Sequence, residues 1–491
     1  MNTLLDPVKI GHNSLSANFM WNLLRLALNL ILPFVILPYV SRVLGPAGFG
    51  KSEYALSIVT FFVLFTALGI PVYGLRETAR TGNDIVLRSK MIWELTLLLA
   101  VSVCVGYVIY FFLVLVTPFF RTDRAIFYAV APAIFLTNLN YEWFYIGIEQ
   151  QRQIAIRTLV SKIAQICLIF LLVKNPSDFI IYSCIMACLP VIILVWNVAR
   201  LKKYVCAVPF AELDINRHTK PLAAIFLAGL AINVYTNIDT TMVGAIAGDS
   251  AAGFYAASNK TVRIVIIFIA SLASVFIPRI ENAFHSGNSG EYKKQLSGSV
   301  RLMFLLGVPC CFGMFILAPE IIHIIAGSAY KESVLGIRLL CPVVIIAGCA
   351  NFTALYVLYP NHKEKYYTIS VASGAAGNIV CNAILIPLYR QNGAIIGTLA
   401  AESIGLSMQL FYARKLLKDT ELFSINTAKF FIAACVMTAA VWVLHRIINQ
   451  TAFTFITCVL AGAAVYALML TLLHEKTVFG LVNQLKKGAL R

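Results

Sequence analysis

Four polar residues near the start of the chain recur at intervals that place them on one side of a helix. Asn18, Asn22, Arg25 and Asn29 are spaced 4, 3 and 4 residues apart, so at 3.6 residues per turn they share a narrow face. The apolar run around them spans about 22 residues, enough to cross a hydrocarbon core of roughly 30 Å. An arginine at that depth costs about 2.5–3.5 kcal/mol on insertion scales. The stripe therefore predicts a polar surface that meets water, protein or an anionic ligand.

Four further charged residues fall inside apolar segments and indicate ion chemistry. Lys162 and Arg263 would join Arg25 in attracting an anion. Asp239 and Glu402 would bind a coupling proton or sodium ion. Two interpretations remain open: the polar groups hydrogen-bond helices together at about 0.6 kcal/mol each, or they line a hydrated path. Either way they must face inward, because five lipid-facing charges would cost on the order of 15 kcal/mol. We predict no catalytic residues and no metal site.

The composition places these charges in a membrane protein. The chain has 491 residues, 60% hydrophobic and 12% charged, with a mean hydropathy of +0.82, whereas a soluble protein carries about twice that charge fraction. The net charge of +17 fits either nucleic-acid binding or basic cytoplasmic loops. The 12 cysteines lie mostly in apolar segments without ligand spacing, which indicates packing rather than metal or disulfide roles.

Apolar runs of about 20 residues predict an all-α polytopic membrane protein with about fourteen transmembrane helices. The predicted spans are 17–40, 54–75, 91–116, 125–147, 157–173, 179–199, 221–247, 256–278, 300–319, 335–359, 367–388, 393–413, 428–446 and 453–473. The predicted domains are an N-terminal lobe of helices 1–6 (1–200), a cytoplasmic linker (201–220), a C-terminal lobe of helices 7–12 (221–413), and helices 13–14 with a cytoplasmic tail (414–491).

An internal repeat supports the two lobes. Gly45 and Gly50 follow the first predicted helix, and Gly248 and Gly253 follow the seventh, at an offset of 203 residues in both cases. Six helices return the chain to its starting side, so the lobes are predicted to be parallel repeats about a pseudo-twofold axis along the membrane normal. The same offset places Asp239 on the face equivalent to the helix-1 stripe, as two halves facing one cavity would require.

The charge distribution predicts the orientation. With both termini in the cytoplasm, the cytoplasmic side carries more than twice as many Lys and Arg residues as the opposite side, as the positive-inside rule requires. This distribution explains the basic pI without nucleic acid. Glu94 and Glu142 are predicted to reach into the cytoplasmic interface, and the aromatic cluster of residues 141–145 is predicted to form an interface belt.

Four motifs together resemble a known family. They are PYVSRVLGPAGFG (38–50), YGLRETAR (73–80), YEWFYIGIEQ (141–150) and AGDSAAGFYAASNK (247–260). In order and spacing, the chain is similar to the polysaccharide-export branch of the multidrug/oligosaccharidyl-lipid/polysaccharide transporter superfamily, the Wzx-type O-antigen flippases. Ile146 departs from the polar residue expected before Gly147, which argues against a direct sugar contact by the third motif.

The resemblance implies a flippase, not an enzyme. Its substrate would be an undecaprenyl-diphosphate-linked oligosaccharide, the repeat unit of O-antigen or a related surface polysaccharide, moved to the outer leaflet of a bacterial inner membrane. The internal repeat suggests, as a hypothesis, that the two halves move it by alternating access. Arg25, Lys162 and Arg263 fit the cavity cations of the family, with Asn22 and Asn29 beside Arg25. Guanidinium groups pair with phosphate bidentately. The implied partners are membrane lipid and the polymerase and chain-length machinery, with no nucleic acid and no cofactor beyond a coupling proton or sodium ion.

Three alternatives remain open. A lipid II flippase would also have fourteen helices and a cationic cavity. A cation-coupled multidrug exporter would have twelve helices and an acid-centred first helix. A membrane glycan polymerase or ligase would need catalytic groups in a large external loop, but the longest external loop, around 319–334, carries only Glu320, His323, Lys331 and Glu332.

Overall fold

The protein is helical throughout the part of the chain that the computed structural model describes, which is residues 15–82, 84–117, 120, 123–417, 425–447 and 452–475. It divides into two compact units, Met1–Gly253 and Phe254–Arg491. The first contains α1 (Leu15–Ala67), α2 (Ile70–Thr81), α3 (Ile85–Val116), α4 (Arg124–Val130), α5 (Pro132–Asn138), α6 (Glu142–Gly147), α7 (Gln151–Leu172), α8 (Phe179–Cys188), α9 (Pro190–Leu201), α10 (Asn216–Ala247) and the start of α11 (Asp249–Ala273).

The second unit continues α11 and adds eight helices. They are α12 (Phe276–His285), α13 (Ser289–Ile316), α14 (Ala318–Ile325), α15 (Ser333–Phe352), α16 (Glu364–Tyr389), α17 (Gln391–Ala413), α18 (Ile425–Ile447) and α19 (Ala452–Leu472). Its core includes the stacked rings of Phe304 on α13 and Phe430 on α18, whose centroids lie 6.4 Å apart. Helices α16 and α17 form a closely packed antiparallel pair.

The predicted class, an all-α multi-pass membrane protein, is confirmed. Among the described residues, 11 helical segments are long and apolar enough to cross a membrane. One of them, Leu32–Thr81, is 50 residues long and combines most of α1 with α2, so predicted crossings and helices do not correspond one to one. The count of fourteen and the division into lobes stay predictions. Helix α10 packs along α1 and belongs to the unit that ends at Gly253.

Two glycines related by the 203-residue offset adopt the same backbone conformation. Gly45 has φ 68° and ψ 176°, and Gly248 has φ 86° and ψ 175°. A residue with a side chain is strained in this region of φ/ψ space. Gly45 breaks α1 into two helical segments, and Gly248 separates α10 from α11, so that in both places a new helical segment starts at the next residue. The sequence repeat is therefore also a repeat of backbone geometry at these two positions.

The helical turns after these glycines cross at a close backbone contact. A Cβ atom added to Gly50 would overlap the carbonyl oxygen of Asp249 and lie 2.5 Å from the amide nitrogen of Gly253. A Cβ atom added to Gly253 would overlap the carbonyl oxygen of Pro46. Since Pro46 and Asp249 are also 203 residues apart, the contact is reciprocal. Glycine permits this approach because it removes the side chain from the interface.

An ion cluster lies beside the crossing. The Lys51 Nζ is 2.7 Å from Asp123 Oδ2 and 3.7 Å from Asp249 Oδ2. The same ammonium group lies 5.1 Å from the centroid of the Phe179 ring. The cluster ties α1 to the loop before α4, the start of α8 and the start of α11, so charge reinforces the glycine contact.

The other two motifs also pack against each other. A Cβ atom on Gly74 of α2 would lie 2.5 Å from the Trp143 ring, and one on Gly147 of α6 would lie 2.7 Å from Thr78 Cβ. Small residues on each helix thus accept larger side chains from the other. The first motif therefore packs against the fourth, and the second packs against the third. Both contacts lie in the first unit.

The aromatic cluster in the third motif is not an interface belt, and that prediction is wrong. Trp143, Phe144 and Tyr145 are 4%, 0% and 1% exposed. Their rings pack with Tyr204, whose centroid is 5.8 Å from that of Phe144. The apolar core between α2, α3 and α6 takes up the rings because α6 is a short helix covered on several sides.

Candidate functional site

The candidate substrate path is organised by α1 and two helices that pack against it, α7 and α10. The Ser57 and Thr241 hydroxyls, on α1 and α10, are 2.7 Å apart. Near its end, α7 places the Phe170 ring against the Tyr39 ring of α1, with 4.2 Å between the ring centroids. The part of α1 before Gly45, which carries the predicted stripe, thus lies beside α7 with Lys162, and the part after Gly45 lies beside α10 with Asp239.

The structure describes the side chains of two of the five predicted substrate-binding residues. Lys162 on α7 is half-buried. The side chains of Asn22, Arg25 and Asn29 lie outside the described part of the structure. Arg263 on α11 belongs to the second unit, where it is half-buried and its Nε donates to Asn259 Oδ1 at 3.3 Å. Their roles stay predictions.

The two predicted ion-coupling acids differ in burial. Asp239 on α10 is 3% exposed, as an inward-facing residue should be. Glu402 on α17 is half-buried and acts electrostatically on the Tyr367 hydroxyl of α16. Thr398, four residues before Glu402 on the same helix face, is buried, so part of that face packs against neighbouring helices. Neither acid's role in ion coupling is tested by this geometry.

A buried arginine near Lys162 was missed by the sequence reasoning, which treated it as a cytoplasmic loop charge. Arg157 on α7 is 0% exposed. Its guanidinium donates to Asn197 Oδ1 of α9, lies 3.9 Å from Glu142 Oε1 and stands 5.3 Å from the Tyr145 ring centroid. The Tyr145 hydroxyl also donates to the Asn197 carbonyl at 2.7 Å. The arginine therefore joins α6, α7 and α9.

Glu142 links this cluster to the candidate site, because its negative charge acts on both Arg157 and Lys162. With two cations and one carboxylate, this end of α7 keeps a net positive charge. Such a charge favours an anionic ligand in a low-dielectric setting. In the sequence, Asn138 lies four residues before Glu142. Asn138 itself packs helices, since its Nδ2 donates to Thr66 Oγ1 at 2.6 Å.

Glu94 is a second buried charge, and the prediction that it reaches into the membrane interface is wrong. Its side chain is 0% exposed. It accepts from the backbone N–H of Asp214 at 2.7 Å and pairs with Arg217 and His218. All of these partners come from the segment before and at the start of α10, more than 100 residues away, so the sequence carried no local signal.

These features define a class of protein: a helical multi-pass membrane transporter with glycine-packed helix pairs and charges buried at membrane depth. The chain belongs to the polysaccharide biosynthesis protein family, whose model matches residues 15–284. A second model, MatE, matches residues 224–384. The family resemblance inferred from the four motifs is thereby confirmed.

The chain is similar to curated transporters and flippases. It is 21% identical over 390 residues to the "Putative O-antigen transporter" of Escherichia coli (strain K12), covering 79% of this chain and 93% of that protein. It is 26% identical over 273 residues to "Lipid II flippase MurJ" of Bacillus subtilis (strain 168), covering 50% of this chain and 49% of that protein.

Solved structures share the fold. "Lipid II flippase MurJ, inward closed conformation" aligns with a TM-score of 0.71 at 15% identity, covering 94% of this chain and 100% of that chain. An inward-facing multidrug resistance MATE family transporter of the MOP superfamily aligns with a TM-score of 0.61 at 13% identity, covering 85% and 98%. At these identities the likeness defines the architecture alone.

Proposed function

We propose that this protein is a flippase for an undecaprenyl-diphosphate-linked oligosaccharide, the repeat unit of O-antigen or a related surface polysaccharide. It moves the substrate from the cytoplasmic to the outer leaflet of a bacterial inner membrane. One observation carries the proposal: two helices pack against α1. One is α7, whose end has a net positive charge, and the other is α10, which carries the buried Asp239. The family membership and the named transporters and flippases support the substrate class.

The substrate chemistry explains why cations are needed at membrane depth. A diphosphate carries charge that hydrocarbon does not solvate, so the protein must supply counter-charges along the path. Arg25, Lys162 and Arg263 supply them in this proposal, and Arg25 and Arg263 can pair bidentately with phosphate oxygens. Asn22 and Asn29 offer amide groups to the sugar or phosphate beside Arg25.

Transport proceeds by alternating access of lobes 1–200 and 221–413, with both termini in the cytoplasm. Asp239 and Glu402 bind the coupling proton or sodium ion. The translocated oligosaccharide would be handed to polymerase and chain-length machinery on the outer face. A crosslink that locks the two lobes together should stop transport, and transport that continued would contradict alternating access.

Removing a cavity cation should slow transport strongly. Arg25→Ala and Lys162→Ala are each expected to lower the rate by about 10–100-fold, because a hydrogen bond to a charged group contributes about 1.5–3 kcal/mol. The measurement is exposure of undecaprenyl-diphosphate-linked oligosaccharide in the opposite leaflet of vesicles that contain the purified, correctly inserted protein.

Arg152→Ala is the matched control, since Arg152 lies on α7 but is exposed. It should retain the rate within about twofold. Equal losses in Lys162→Ala and Arg152→Ala would contradict a specific role for Lys162. No exposure by the intact protein under proton and sodium gradients would contradict the function itself.

Lipid II is the second candidate substrate, favoured by the similarity to MurJ in sequence and fold. Both lipids present the same undecaprenyl diphosphate, so the cation positions do not separate them. The vesicle assay with each lipid in turn does. Preference for lipid II would assign the protein to that pathway step, and export of a cationic drug with neither lipid moved would favour the MATE-like alternative.

A further inference from the structure

The segment between α9 and α10 is fastened along α3. The Arg88 guanidinium donates to the Tyr204 carbonyl at 3.0 Å, and Ser89 Oγ accepts from the Cys206 N–H at 2.8 Å. One turn further on, the Trp93 indole N–H donates to the Cys206 carbonyl at 3.1 Å. Residues 204–218, which comprise this segment and the first three residues of α10, are called the strap below. It leads directly into α10, the helix that carries Asp239.

The strap ends in a continuous chain of buried titratable side chains. Glu94 Oε1 accepts from the Asp214 N–H at 2.7 Å, and Oε2 contacts Arg217 and lies 2.8 Å from His218 Nε2. On the other side of the ring, His218 Nδ1 is 2.8 Å from the Tyr73 hydroxyl. His218 is 1% exposed and Glu94 is 0% exposed. The chain joins α2, α3 and the first turn of α10.

Hydrogen bonding assigns the resting proton positions. With neutral His218, the shorter contact, 2.8 Å from Nε2 to Glu94 Oε2, takes the Nε2 proton, and Nδ1 accepts the Tyr73 hydroxyl proton. The 3.3 Å contact from Arg217 Nε to the same Nε2 is then not a hydrogen bond. The cluster then contains one carboxylate and one guanidinium and is electrically neutral. Uptake of one proton from water forms an N–H bond at Nδ1, and the Tyr73 hydroxyl must turn to accept from it. The cluster then carries a charge of +1.

An unbalanced positive charge in a buried site is unfavourable unless a charged group moves into water. Arg217 is the group placed to move, because its side chain is 36% exposed whereas its partner Glu94 is fully buried. The imidazolium of His218 can replace it as the counter-charge of Glu94. Protonation thus favours release of the first turn of α10, while deprotonation favours its docking.

The other charged groups near the cluster have little effect on the equilibrium between the docked and the released first turn of α10. Glu77 and Arg80 on α2 act on Tyr73, as do Arg217 and Glu94, and Arg80 is itself paired with Glu77 at 2.8 Å. Because that pair is neutral as a whole, its field at the cluster is small. Among the side-chain types in this cluster, imidazole is the one that ordinarily binds or releases a proton near physiological pH.

We propose that Glu94, His218 and Tyr73 form a proton-binding site that couples protonation to movement of the start of α10. The site is separate from the intramembrane acids Asp239 and Glu402. The proposal rests on the proposed flippase function for its role in transport, but the proton-linked release of the strap is independent of that function.

The first test needs no transport. Hydrogen–deuterium exchange of strap amides is measured on the intact protein in detergent at about pH 5.5 and about pH 8, on either side of the usual histidine range. After correction for intrinsic exchange, protection at residues 214–218 should fall by at least about fivefold at the lower pH, and His218→Gln should remove the difference. Equal protection at both pH values in the intact protein would overturn the proposal.

The second test uses vesicles with undecaprenyl-diphosphate-linked oligosaccharide and an imposed pH gradient. The intact protein should move the lipid faster with the gradient than without it. His218→Gln, Glu94→Gln and Tyr73→Phe should each bring that rate ratio to about one. Variants that keep the ratio of the intact protein, or an intact protein with no gradient response, would overturn the coupling role.

Ser89→Ala is the matched control, because it removes the strap-to-α3 hydrogen bonds from the Cys206 N–H and the Cys206 thiol and touches none of Glu94, His218 and Tyr73. It should keep the gradient ratio. Loss of the ratio in Ser89→Ala as well would show that strap docking alone matters and would overturn proton binding. If the intact protein exposes substrate in the opposite leaflet without a gradient, the proposed flippase function is supported, whatever the rate ratios of the variants are.

Discussion

Gly50→Ala is expected to remove most of the correctly folded protein. One added methyl group would overlap the Asp249 carbonyl oxygen and lie 2.5 Å from the Gly253 nitrogen. Both are backbone atoms, so relief requires the two helices to separate and weakens the neighbouring Lys51–Asp249 contact. Overpacking costs about 1–3 kcal/mol and more where the surroundings resist, and we expect the upper end of that range or beyond. The measurements are the monodisperse yield after detergent extraction and the midpoint of thermal unfolding.

Gly313→Ala provides the matched comparison. Gly313 lies inside α13, where nothing lies within 4 Å of an added Cβ atom. There alanine should be neutral or stabilise by about 0.5–1 kcal/mol through helix propensity. The reciprocal variant Gly253→Ala should behave like Gly50→Ala. Equal yields and midpoints for Gly50→Ala and Gly313→Ala would show that the close crossing does not limit folding.

Arg157→Leu should be the second most damaging substitution. The substitution removes the hydrogen bond from the guanidinium to Asn197 Oδ1 and the positive charge beside Glu142. It also removes the contact of the guanidinium with the Tyr145 ring. Breaking a buried ion pair destabilises by about 3–5 kcal/mol, but Glu142 is 30% exposed and keeps part of its hydration. We therefore expect a loss of about 2–4 kcal/mol in the free energy of unfolding, measured by denaturant titration in detergent.

The same substitution at Arg152, the exposed arginine on α7, should change that free energy by less than about 0.5 kcal/mol. A double-mutant cycle with Glu142→Gln separates the ion pair from the remaining contacts of Arg157. We expect a coupling of about 1 kcal/mol, since one partner is hydrated. If Arg157→Leu unfolded at the same denaturant concentration as Arg152→Leu, the buried contacts of Arg157 would not contribute to the stability of the protein.

Each of the four motifs that carry the family resemblance contributes residues to a close contact between helices. One pair of motifs meets at Gly50 and Gly253, and the other meets at Gly74 and Trp143. In the proposed function, groups outside these contacts, such as the charged end of α7, select the substrate.

Much of the fold could be read from local patterns. Apolar runs long enough to span a bilayer predict helices because lipid leaves the backbone no other way to satisfy its hydrogen bonds. The glycines at 45 and 248 predict helix breaks because their positive φ is strained for other residues. The inward-facing position of Asp239 followed from the cost of exposing a carboxylate to lipid.

What the sequence determined by itself was therefore the class of protein, the repeat and the presence of costly charges within the membrane. Only the tertiary structure decided which charges pair. Arg157 meets Asn197 across 40 residues, and Glu94 meets His218 across 124; each had been assigned to the surface from its place near a helix end. Position along a helix predicts depth in the membrane, but burial depends on which helices pack over that position. That packing is set by contacts between distant segments, which local spacing does not encode.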